Sequence, residues 1–123
     1  MKIKVSELSG IALDWAMAKS EGHHTFFESG WRCEIGDSGP HDIGMSGKYG
    51  YSPSTDWSQA GPLIERCRVQ LEPGSSWIAK TDCGGGFSRF AEVLGHTALI
   101  AACRAIVASV FGDEVEIPQE LAP

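Results

Sequence analysis

The chain has 123 residues, a length that suits one compact domain able to bury a core without staples. Hydrophobic residues make up 42% and charged residues 21%, which argues against a disordered tail, and no apolar run approaches the roughly 18 residues of a membrane span. Ten basic against sixteen acidic residues give a net charge of −6 with no dense Lys/Arg run, so nucleic-acid polymers and membranes are not expected as partners.

The polar start MKIKVSELSG lacks the apolar centre of an export signal, so a soluble cytoplasmic protein with reduced thiols is expected. Cys33, Cys67, Cys83 and Cys103 are widely spaced and form no Cys-x-x-Cys pair. Neither a structural zinc site nor a disulfide framework follows from that spacing.

Ser6 can cap a first helix whose apolar positions Leu8, Ile11, Ala12, Trp15 and Ala18 share one face, with Asp14 and Lys19 as polar exceptions and Gly22 as terminator. From Gly22 to Gly50 seven glycines break the pattern. His24 to Ile35 reads as one short strand or hairpin, and Gly36 to Gly44 reads as loop.

Tyr51 to Trp57 leads into a short helix over residues 56–67, capped by Asp56 with Gln59 reaching back, and kinked or restarted at Pro62. Arg68–Leu71 and Ser76–Lys80 flank Pro73-Gly74 and predict a β-hairpin, with a third strand over Phe87 to Val93. Thr97 caps the strongest element, Ala98 to Phe111, a helix apolar nearly all round that Gly112 ends. The fold expected is α+β: a single small domain over residues 1–112, with two long helices and one short helix packed on a small antiparallel sheet. An acidic C-terminal tail over 113–123 carries Asp113, Glu114, Glu116 and Glu120.

No motif names a reaction. The triple glycine at 84–86 lacks the Gly-Lys-Ser/Thr ending of a phosphate loop, no Gly-x-Ser-x-Gly elbow is present, and His23, His24, His41 and His96 are scattered. No catalytic residue, metal or cofactor is therefore assigned. The segment with binding chemistry is Ser52 to Trp57. Ser54, Thr55 and Asp56 place short hydrogen-bonding groups between Tyr51 and Trp57 at a helix start, which suits a small polar or nucleotide-like ligand with a flat ring. The competing reading is a structured cap with Trp57 in the core. Arg66 and Arg104 either pair internally, with Asp14 as a partner, or face a ligand's anion.

Three blocks carry a family resemblance: Met1–Lys19, Tyr51–Arg66, and Leu99 through Gly112 to Val115. Together they resemble the NinX-type family of small bacteriophage proteins. The resemblance implies a phage or prophage accessory protein in the bacterial host cytoplasm and brings no catalytic residues to carry over. Two functions are expected from the whole. The first is a homo-oligomeric, non-enzymatic binding protein with a pocket around Ser54–Trp57. The second is an antagonist of a host protein using the acidic tail or the glycine-rich loop. A small nucleotide-acting enzyme ranks third.

Overall fold

The structure, a computed structural model, describes residues 1–82 and 91–122. Among these residues the fold is α+β, as expected. Helices α1 (Gly10–Ser20), α2 (Trp57–Cys67) and α3 (Ala98–Phe111) are joined by strands that fall into three sheets rather than one. Strand β1 (Lys2–Lys4) pairs antiparallel with β9 (Glu114–Glu116). Strands β2 (His24–Phe27), β3 (Trp31–Glu34) and β4 (Pro40–Ile43) are antiparallel, and β5 (Gly50–Tyr51) joins β4 in parallel. A meander of β6 (Gln70–Glu72), β7 (Trp77–Thr81) and β8 (Ala91–Gly95) packs against α3.

Helix α3 is the centre of the molecule. Ala101, Ala102, Cys103, Ala105 and Val107 are fully covered, and small side chains on several faces let α1 and the meander approach it together. Thr97 Oγ1 accepts from the Ile100 amide at 3.1 Å, as the cap reading requires. Gly112 takes a φ of +92° at the other end. At Gly95 a Cβ would crowd the Ala101 backbone, so only glycine lets β8 lie this close to the helix.

Several expectations are corrected. Helix α1 starts at Gly10, not after Ser6, because residues 2–4 are drawn into pairing with β9 and the Val5 amide donates to the Asp113 carbonyl at 2.8 Å. The stretch from Glu114 is not a free tail. Val115 and Ile117 are buried, and only the acidic side chains of β9 face out. Residues 40–43, read as loop, form β4, for which β3 and β5 supply partners that no local pattern announces.

Helix α2 runs unbroken through Pro62 and is as long as α1, so the long-and-short distinction fails. Gln59 does not return to the amide of its cap, since the Asp56 amide is already bonded to the Ser52 carbonyl at 3.0 Å. Cys33 and Cys103 are free and buried, whereas Cys67 is disulfide-bonded, a departure from four reduced thiols. The triple glycine and the start of the expected third strand lie outside the described residues. Among the described residues no helix is long and apolar enough to cross a membrane.

Candidate functional site

A cleft of about 420 Å³ opens where the end of α1, the β4–β5 pair and the first turns of α2 converge. Its formation begins with Gly50, where a Cβ would collide with the Met45 carbonyl oxygen. Glycine therefore lets the 45–50 loop close tightly. The Asp42 and Gly44 amides can then donate to the Tyr49 and Tyr51 carbonyls, each at 2.7 Å. That pairing sets Tyr51 opposite Ile43, with the His41 ring 6.1 Å from the Tyr49 ring.

Gln59 fixes the opposite wall. Its Oε1 accepts from the Ser52 amide at 2.8 Å, and its Nε2 donates to the Gly50 carbonyl at 3.2 Å and to Asp56 Oδ2 at 3.1 Å. One amide side chain thus ties β5 to the cap of α2. Asp56 Oδ1 accepts from the Ser58 amide at 2.9 Å and the Ser58 hydroxyl at 2.6 Å, and these bonds hold its carboxyl below the usual carboxylate range.

Two polar atoms of the cleft residues have no partner among the described residues. The Tyr51 hydroxyl and His41 Nδ1 are both covered and unbonded, and Tyr51 is only 5% exposed. Burial, followed by the nearby Glu21 carboxylate, pushes the Tyr51 phenol well above its ordinary range, so it remains an O–H group. The His23 ring stands edge-on to Tyr51 at 5.8 Å. Burial lowers the His23 pKa, the Glu21 carboxylate works against that shift, and His41 adds to it. Glu21 accepts from Arg66 Nη2 at 2.7 Å through both oxygens.

Among the seven residues singled out from sequence, Tyr51 and Asp56 line this cleft. Ser54, Thr55 and Trp57 line a separate shallow groove against the start of α3. Trp57 is 57% exposed there, so the cap reading that packs it in the core does not hold. Arg66 reaches the cleft only through Glu21. Arg104 lies elsewhere, donating from Nε to the Leu8 carbonyl and from Nη1 to the Leu94 carbonyl, both at 2.8 Å. Both arginines are thus paired internally, but neither uses Asp14, which accepts from the Ser54 amide at 2.9 Å.

Sequence reasoning missed Glu21, His23, His41, Lys48 and the clamp Gln59 as cleft residues. The available signal is the Gln59 side chain three residues after the cap, whose pattern announces only local capping. Among the described residues no three metal-ligating side chains gather at one point. The arrangement is suited to holding a molecule by hydrogen bonds on one side and by Ile35 and Leu63 on the other.

No curated protein matches the chain significantly. The family model described as "Bacteriophage P22, NinX" matches residues 4–110, a span that takes in α1, the whole cleft and nearly all of α3, and the chain belongs to that family.

Proposed function

We propose that this phage protein acts in the host cytoplasm by binding, and that the cleft beside Tyr51 holds a small polar ligand, nucleotide-like in size. The observation that carries this reading is the pair of covered, partnerless polar atoms, the Tyr51 hydroxyl and His41 Nδ1, on residues that line one cleft. Leaving such an atom unpaired costs about 1–3 kcal/mol, a cost that a ligand group able to reach it removes. The cleft's volume lies within the range of small-molecule sites, roughly 300–1,000 Å³.

The expected pocket around Ser54–Trp57 is accordingly replaced by the cleft, keeping Tyr51 and Asp56 and adding His23 and His41. The acidic stretch is a weaker basis for host-protein capture, because β9 is held in the fold by β1. Homo-oligomerisation is retained as an expectation, supported by exposed Ile11, Phe27, Met45 and Trp57.

The test is retention. The full chain is incubated with a protein-free small-molecule extract of bacterial cells, desalted and heated, and the released species are weighed by mass spectrometry. A discrete species held by the wild type and lost by Tyr51→Phe supports the reading. Equal recovery from both proteins, or none from either, overturns it.

A further inference from the structure

Strand β2 is the outermost strand of its sheet. On one side it pairs with β3, and on the other no strand pairs with it among the described residues. The hairpin fixes which backbone groups face out. The Glu28 amide donates to the Gly30 carbonyl at 2.8 Å, in the same register that sets Phe27 opposite Trp31 and Phe26 opposite Arg32. Bonded and non-bonded pairs alternate along an antiparallel ladder, so His24 and Phe26 exchange bonds with β3. The amides and carbonyls of Thr25 and Phe27 therefore point away from it. An open edge of this kind is a template for another strand, and proteins that keep it single commonly place Lys or Pro there. Residues 23–30 contain neither.

The side chains along this edge are uncovered as well. Phe27 is 62% exposed. His24 and Glu28 are exposed, and neither has an ion-pair partner among the described residues. The His24 ring stacks on Phe26 of its own strand, with centroids 5.8 Å apart.

Two copies of one edge strand related by a two-fold axis meet antiparallel, and the outward groups select the register. With the axis beside Phe26, Thr25 of each copy faces Phe27 of the other, so the outward donors and acceptors of both edges pair. Centring on Thr25 would call on the His23 amide, which already donates to the Ala18 carbonyl at 2.9 Å. Centring on Phe27 would call on Ser29, which stands in the left-handed region at φ +57°. The register centred on Phe26 also sets Phe26 against its own copy and His24 against Glu28 of the second copy, twice by symmetry. These are the non-bonded pairs, where cross-strand side chains come closest.

We propose that β2 is a homodimer interface, at which a second copy of the chain adds its own β2 antiparallel about Phe26 and extends the sheet across both molecules. This gives the homo-oligomer expectation a surface and does not depend on the cleft holding a ligand. The imidazole–carboxylate pairs fix the register, the Phe26 pair supplies apolar contact, and Phe27 is covered beside Thr25 of the second copy. Within each chain Glu34 lies across from His24 on β3, so His24 has a carboxylate on either side in the dimer.

The experiment is sedimentation velocity of the full chain at concentrations from about 1 μM to about 1 mM, with circular dichroism of each variant. The wild type is expected to pass from monomer to dimer within that range. Glu28→Lys, at an exposed residue, and His24→Glu are each expected to weaken the dimer about fivefold or more. The double variant exchanges the two charges and should return to within about twofold of the wild-type constant. A wild type that stays monomeric overturns the proposal and the homo-oligomer expectation with it. A dimer that Glu28→Lys leaves unchanged overturns the β2 surface alone, and weakening by both single variants without rescue in the double overturns the pairing of His24 with Glu28. None of these results bears on the cleft, which the extract experiment decides separately.

Discussion

Asp14 on α1 and Ser54 before α2, 40 residues apart, are joined by a 2.9 Å hydrogen bond from the Ser54 amide to Asp14 Oδ1. Asp14 is only 2% exposed, and burial raises its pKa to about 6 against the hydrogen bond from the Ser54 amide, which lowers it. This contact anchors the turn that feeds Tyr51 into the cleft and Asp56 into its cap.

The pH dependence follows from that shift. A carboxyl with a folded-state pKa near 6 and an ordinary value of 3.8 favours the protonated fold. Its stabilising effect is fully present below pH 3.8 and is lost as pH rises through 6. Asp14→Asn keeps an acceptor for the Ser54 amide and cannot ionise. It should be more stable than the wild type at pH 8, by at most about 3 kcal/mol, with the gain shrinking toward pH 4. Urea titrations at both pH values measure this, and an equal offset at both would contradict it.

Tyr51 separates packing from chemistry. Its ring is buried but its hydroxyl has no partner among the described residues, so Tyr51→Phe, which deletes the unpaired group, should leave stability unchanged or raise it by up to about 3 kcal/mol. Tyr51→Ala should cost about 3–5 kcal/mol. Thermal and chemical denaturation of the pair provide the check, and a strongly destabilised Phe variant would mean that the hydroxyl is bonded after all.

Arg104 is expected to matter for folding alone. Its two 2.8 Å bonds to the Leu8 and Leu94 carbonyls hold the entry of α1 against the end of β8. Arg104→Met should cost about 1–3 kcal/mol and leave ligand retention per folded molecule unchanged. Loss of retention in a folded variant would return Arg104 to the site.

Removing residues 113–123 should not leave an intact core. The cut deletes β9 and the buried Val115 and Ile117, each worth about 1.5–3 kcal/mol of burial. A truncated chain with the full-length midpoint in urea would show that this segment is dispensable.

Local chemistry was readable and distant pairing was not. The cap at Thr97, the apolar face of α3 and the hairpin around Pro73-Gly74 depend on residues a few positions apart, and they were legible. Pairing of Ile3 with Val115 joins the two ends of the chain, and nothing near either residue announces it. Strand β4 was hidden because Pro40-His41-Asp42-Ile43 shows no clean alternation, and its place depends on a close turn at Gly50. The site divided in the same way. Tyr51 and Asp56 were visible from their neighbours, whereas His23 and His41 meet only when β4 and the end of α1 reach the same cleft.

The most direct measurement is an amide and side-chain chemical-shift map of the labelled chain with the species that it retains from the bacterial extract. The account predicts shifts concentrated at His23, His41, Tyr51 and Gln59, with the exposed Trp57 indole unmoved. Shifts at Trp57 and Thr97 with a silent Tyr51 would contradict it and place the ligand in the groove beside α3.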